Sequence, residues 1–147
     1  GHNKSRRFLM EPEFDPMPNA EAWQLSNAPV LSVAPYLASL ELFDEVGMDV
    51  LIEKSKLLTA YLEFVLQEID KQVSSSFEII TPKERGCQLS VFLHGQGRPI
   101  FDYLMKNGVI TDWREPNVIR LAPAPFYCSF EDMYHFGQIL KAGILEK

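Results

Sequence analysis

Apolar residues recur along this chain with two distinct periods, and the change from one to the other marks out its elements. Val33, Tyr36, Leu37, Leu40 and Phe43 fall at i, i+3, i+4, i+7 and i+10, the spacing that gathers apolar side chains on one helical face. Gly47 closes this helix and Asp49 is placed to cap the next. The second helix carries Leu51, Leu58, Leu62, Val65 and Ile69, and stops before a run of serines at 74–76. The period then shortens to two. Residues 77–80 read as a short strand, and Cys87, Leu89, Val91 and Leu93 alternate with Gln88, Ser90, Phe92 and His94 as a half-buried one. Pro99 opens and Gly108 closes a short helix. Residues 109–112 and 118–121 read as strands on either side of a turn built on Glu115, Pro116 and Asn117. Ser129 followed three residues later by Asp132 is a capping box for a last helix whose face is Met133, Phe136, Leu140 and Ile144. Two helices followed by the order β, β, α, β, β, α predict an α+β fold, an antiparallel sheet with helices on one face.

Ahead of these elements the pattern is different. Residues 1–29 hold Pro12, Pro16, Pro18 and Pro29 and show neither period, so the chain divides at residues 29 and 30. A long structureless stretch is uncommon inside a compact domain. Phe8, Phe14, Trp23 and Leu25 point to a segment ordered by a surface outside it, since a flexible linker has no need of them. With 147 residues, 46% of them hydrophobic, the chain is long enough for one substantial core. A net charge of -6 and a pI near 5.0 argue against nucleic acid or an anionic membrane as partner. No apolar run approaches the ~20 residues that span a bilayer, and the chain does not open on a signal peptide. Cys87 lies in a strand pattern and reads as a reduced core thiol, while Cys128 lies in a loop and is either free or paired. The default compartment is the cytoplasm.

The candidate chemistry is concentrated in few residues. Arg120 stands in the apolar run Asn117-Val-Ile-Arg-Leu-Ala-Pro-Ala-Pro-Phe-Tyr127. The strand alternation puts Val118 and Arg120 on one face, and Ile119 and Leu121 on the other. Arg120 is either a solvated arginine on an open sheet face or an anion anchor, because a buried guanidinium must meet an anion. Its planar fork suits a carboxylate held through two parallel hydrogen bonds. Ser26-Asn27-Ala28-Pro29 reads as a turn, and the Asn27 amide is equally suited to donate to a phosphate. His2 is either a frayed terminal residue or part of a site. His94 and His135 have no carboxylate or nucleophile at a telling spacing, and no set of residues has metal-ligand spacing.

Five segments, in order, resemble one enzyme family. They are Gly1-His-Asn-Lys-Ser-Arg-Arg-Phe-Leu-Met10, Trp23-Gln-Leu-Ser-Asn-Ala-Pro-Val30, Ala34-Pro-Tyr-Leu-Ala-Ser-Leu-Glu-Leu-Phe43, Glu84-Arg-Gly-Cys-Gln-Leu-Ser90 and Asn117-Val-Ile-Arg-Leu-Ala-Pro123. Together they are similar to the kynureninases, fold-type I pyridoxal-phosphate enzymes of the aminotransferase-like superfamily. The resemblance implies a small C-terminal α+β domain over residues 30–147, preceded by an extended segment, residues 1–29, from a large cofactor domain. It implies that Arg120 holds the α-carboxylate of an amino-acid substrate. It further implies that Asn27 reaches across a homodimer interface to the phosphate of the neighbouring subunit's pyridoxal 5'-phosphate. Ser26 adds a hydroxyl to that phosphate or senses the substrate ring, and His2 lines the active site.

The family reaction is hydrolysis of the Cβ–Cγ bond of L-kynurenine or 3-hydroxykynurenine, giving L-alanine and an anthranilate in tryptophan catabolism and NAD biosynthesis. No lysine here sits in a motif resembling the one that binds the cofactor covalently, and no aspartate is placed to pair with its pyridine nitrogen. The chain is therefore expected to be inactive alone. Two other readings remain at this level. One is a cysteine desulfurase-like lyase of the same superfamily, which carries a catalytic cysteine on a mobile loop. The other is a stand-alone α+β binding module with residues 1–29 as a docking arm.

Overall fold

A computed structural model of the chain describes residues 1–6, 8–73, 76–95 and 97–146. It separates into two compact units, Gly1–Glu45 and Val46–Lys147. In the first unit an isolated bridge joins His2 to Pro16. Asn19 caps a four-residue 3-10 helix, Ala20–Trp23, by accepting from the Glu21 backbone N–H at 2.9 Å. Helix α1, Val30–Val46, follows and ends before Gly47, as the apolar spacing predicts. No residue of α1 is buried. Val30 extends the expected stripe, and Leu31 and Leu42 add apolar side chains on the opposite face.

The second unit holds one hydrophobic core. Helix α2, Met48–Asp70, buries Leu51, Leu58, Leu62, Leu66 and Ile69. Gly47, with φ of 83°, occupies the N-cap and has no side chain to donate or accept, so Asp49 is not the cap. Asp49 sits instead in the first turn, where its charge favours the positive end of the helix dipole. Of the predicted serine turn, residues 74 and 75 lie outside the described residues; the Ser76 hydroxyl donates to the Val73 carbonyl at 2.7 Å.

Four antiparallel strands follow the order β1-β2-β4-β3: β1 Phe77–Ile79, β2 Leu89–Leu93, β3 Asp112–Arg114 and β4 Val118–Leu121. Between β2 and β3 lies α3, Gly97–Lys106, followed by Gly108 at φ of 82°, a conformation that costs glycine little. Helix α4, Phe130–Leu145, closes the unit. Its capping box is as predicted: the Asp132 N–H donates to Ser129 Oγ at 3.2 Å, and the Ser129 N–H donates to Asp132 Oδ2 at 2.7 Å. Leu89, Val91, Leu93, Ile119 and Leu121 from one sheet face join Leu58, Leu62 and Leu66 of α2, Ile100 and Leu104 of α3, and Met133, Phe136 and Leu140 of α4 in one cluster. The helices thus cover a single sheet face. The fold is α+β.

The structure moves β3. Residues 109–112 carry apolar character, but β3 begins at Asp112, where the predicted strand ends. The turn at 115–117 joins two strands whose last and first residues, Arg114 and Val118, face each other. Pairing from that turn backwards therefore sets Trp113 opposite Ile119 and Asp112 opposite Arg120. Cross-strand register overrides the local apolar signal. Cys87 is corrected too: it precedes β2 in a half-buried turn, whereas Cys128 packs against the core, and both are free thiols.

Candidate active site

The open face of the sheet is built from the residues that alternate with the core. In β4, Ile119 and Leu121 are buried and Val118 and Arg120 are half-buried, the alternation the sequence predicts. β4 is flanked on both sides, by β2 and β3, so its backbone is held by two ladders. Arg120 is opposite Ser90 on one side and Asp112 on the other. A central strand of this kind is a rigid platform for a ligand-binding side chain.

Asp112 is the residue that sequence reasoning missed. Its Oδ2 accepts from Arg120 Nε at 2.7 Å and also from Arg120 Nη2. Arg114 Nη2 lies 2.9 Å from the same oxygen. The Arg120 hydrogen bonds, and beyond them the charges of Arg114 and Arg120, hold the Asp112 carboxyl below the usual aspartate range, against the opposing effect of desolvation. Two guanidiniums share one carboxylate, so the cluster carries a surplus positive charge within a chain whose net charge is -6. Both hydrogen bonds from Arg120 leave through its Nε–Nη2 edge, and among the described residues no other acceptor meets it. The edge formed by Nη1 and the second N–H of Nη2 can therefore take a carboxylate end-on.

The loop that follows β4 is tied down by another unforeseen residue. Lys54 of α2 donates through Nζ to the Pro125 carbonyl at 2.6 Å, and the Cys128 N–H donates to the Ala124 carbonyl at 2.8 Å. Nothing in the spacing of Lys54 and Pro125 announces the contact; it arises only when α2 packs beside the loop.

In the first unit, His2, Ser26 and Asn27 line one cleft of about 500 Å³ with Lys4, Glu21 and Gln24. Ser26 and Asn27 are exposed, and among the described residues neither side chain has a hydrogen-bond partner. His2 is not a frayed terminal residue: its Nδ1 accepts from the Asp15 N–H at 3.1 Å and its ring lies 5.8 Å from that of Phe14. This leaves the proton of a neutral imidazole on Nε2. Lys4 pairs with Glu21 at 3.1 Å on the cleft wall. Amide, hydroxyl and ammonium donors together are a donor set that suits phosphate oxygens. Three of the four predicted site residues thus share a cleft, and Arg120 belongs to the other unit with Asp112. Elsewhere, His135 lies 3.4 Å from Glu131 one turn earlier on α4, both exposed.

The sequence profile of the family described as Kynureninase C-terminal domain matches residues 51–140, which contain the whole sheet and Arg120. The chain belongs to the kynureninase C-terminal domain family. It is 76% identical to the kynureninase of Christiangramia forsetii over 150 aligned residues, which cover 100% of this chain and 35% of that protein. With the kynureninase of Flavobacterium psychrophilum it shares 71% identity, over 99% of this chain and 35% of the relative. The kynureninase of Koribacter versatilis is 48% identical across 98% of the chain and 34% of its own length. The chain spans about a third of the length of these curated kynureninases. Family membership disfavours the desulfurase-like and stand-alone readings. No helix of the described residues is long and apolar enough to cross a membrane.

Proposed function

We propose that this chain is the C-terminal part of a cytoplasmic, homodimeric kynureninase, in which it anchors the carboxylate of an amino-acid substrate. Residues 1–29 are then the segment leaving a large cofactor domain, and residues 30–147 the small domain. The observation that carries the reading is Arg120, on a central strand with one guanidinium edge untaken among the described residues, where two guanidiniums share the Asp112 carboxylate. Helix α1 supports it: a helix apolar on most sides yet without a buried residue normally has a covering surface.

The reaction is hydrolysis of the Cβ–Cγ bond of L-kynurenine or its 3-hydroxy derivative to L-alanine and an anthranilate. Bound pyridoxal 5'-phosphate supplies an electron sink for that bond cleavage. The residues of this chain bind and orient. Arg120 holds the α-carboxylate through two parallel hydrogen bonds and so fixes the direction of the substrate's long axis. Asn27 donates to phosphate oxygens of the neighbouring subunit's cofactor without adding a buried charge, and Ser26 adds a hydroxyl to that phosphate or meets the substrate ring. His2 offers Nε2–H to the substrate end of the same cleft.

The full-length protein reconstituted with pyridoxal 5'-phosphate is expected to release anthranilate from L-kynurenine. The 147-residue chain alone is expected to give no stoichiometric visible absorbance that responds to kynurenine. Turnover by the isolated chain, or sulfide release from cysteine in place of anthranilate from kynurenine, overturns the proposal.

A further inference from the structure

We infer that Asp112 is a positioning residue for the substrate carboxylate: it clamps the Nε–Nη2 edge of Arg120 so that the opposite edge faces the ligand. The inference rests on the assignment of Arg120 as the carboxylate anchor and extends it to a residue on a different strand. Three observations carry it. Asp112 and Arg120 are direct cross-strand partners, so their backbones are held in register and the pair does not depend on a flexible loop. A single carboxylate oxygen receives both Arg120 N–H groups, which fixes the direction in which that edge of the guanidinium points and leaves the opposite edge turned away from Asp112. The same oxygen is also held by Arg114, at 2.9 Å, so the clamp is itself braced.

An arginine side chain has several rotatable bonds and loses rotamer freedom when a ligand fixes it. Fixing it beforehand removes part of that loss from the binding step. Asp112 thus acts through Arg120. Its opposite role, competition with substrate for the guanidinium, predicts the opposite sign on substitution. The Nε–Nη2 edge that Asp112 occupies is distinct from the end-on edge a second carboxylate uses, and this geometry favours positioning.

The experiment is a double-mutant cycle in the full-length, cofactor-loaded protein, with kcat and KM for L-kynurenine measured separately and folding and cofactor content checked by circular dichroism and visible absorbance. Asp112→Ala is expected to raise KM by roughly five- to twentyfold with kcat changed much less, the signature of lost binding that ground and transition state share. Asp112→Asn keeps an oxygen acceptor at the same place and is expected to recover most of the loss. In an Arg120→Ala background, Asp112→Ala is expected to change KM no further. An unchanged or lowered KM for Asp112→Ala overturns the inference, as does an equal rise in KM with and without Arg120. If Arg120→Ala itself leaves kinetics at wild type, the anchor assignment fails, and the cycle reveals this separately from the Asp112 arm.

Discussion

Gly137, in the middle of α4, offers a test of sign. In an exposed helix, glycine to alanine stabilises by about 1 kcal/mol, because alanine has less backbone freedom to lose on folding. Here a Cβ at residue 137 would overlap Val65 Cγ1 of α2 and lie 3.4 Å from Ile69 Cδ1. Valine is β-branched and has essentially one side-chain rotamer in a helix, so Val65 cannot swing aside. The helices must separate or shift instead. Overpacking of this kind costs about 1–3 kcal/mol, which exceeds the propensity gain over most of its range. The net expectation for Gly137→Ala is a loss of up to about 2 kcal/mol, and a Tm lower by up to roughly 15 °C for a unit of this size. Thermal and urea unfolding of the chain, followed by far-ultraviolet circular dichroism, measure it. Val65→Ala makes room for the new methyl, so Gly137→Ala combined with Val65→Ala should be more stable than the sum of the single effects. A Gly137→Ala variant that is more stable than wild type by the full helix-propensity increment refutes the close α2–α4 approach.

Two further predictions separate the parts of the chain. Leu58 is 0% exposed, and Leu58→Ala should cost about 2–5 kcal/mol in chemical unfolding; Leu37 on α1 is 57% exposed, and Leu37→Ala should stay within about 0.5 kcal/mol of wild type in the same chain. The Asp132 carboxyl is held below the usual aspartate range first by the Ser129 backbone N–H and then by its hydroxyl. A depressed folded pKa contributes stability above the ordinary aspartate value, and that stability is lost as the pH falls through the lower folded one. Asp132→Asn should therefore flatten the decline of Tm below about pH 4, and a decline as steep as wild type would show that the cap does not carry this linkage.

What the sequence made legible was local. The Ser129–Asp132 capping box, the Gly108 helix end and the alternation of residues 118–121 depend on neighbours within a few positions, and each is found as predicted. What it hid depends on contacts between elements. The apolar residues 109–111 mimic a strand, but pairing across the 115–117 turn decides where β3 lies, and the Asp112–Arg120 clamp exists only in that register. Gly137 looks like an isolated weakness in a helix until Val65 is seen against it. Leu66 is fully buried yet falls outside the predicted α2 stripe, because α2 packs against both sheet and helix and its buried arc is wider than one strict row. On α1 the apolar stripe correctly announced a helix, but periodicity is silent on whether the surface it calls for lies within this chain.

The central claim is that Arg120 holds the substrate carboxylate, and its most direct test is kcat/KM for L-kynurenine in the full-length protein bearing Arg120→Ala. Removing one member of a desolvated, hydrogen-bonded charge pair costs about 2–5 kcal/mol. The account therefore predicts a fall of roughly one and a half to four decades, partly recovered by Arg120→Lys, which keeps the charge but loses the fork. Cofactor content is expected to stay at the wild-type level. A folded, cofactor-loaded Arg120→Ala protein with kcat/KM near wild type would contradict the account and leave Arg120 as a solvated arginine paired with Asp112.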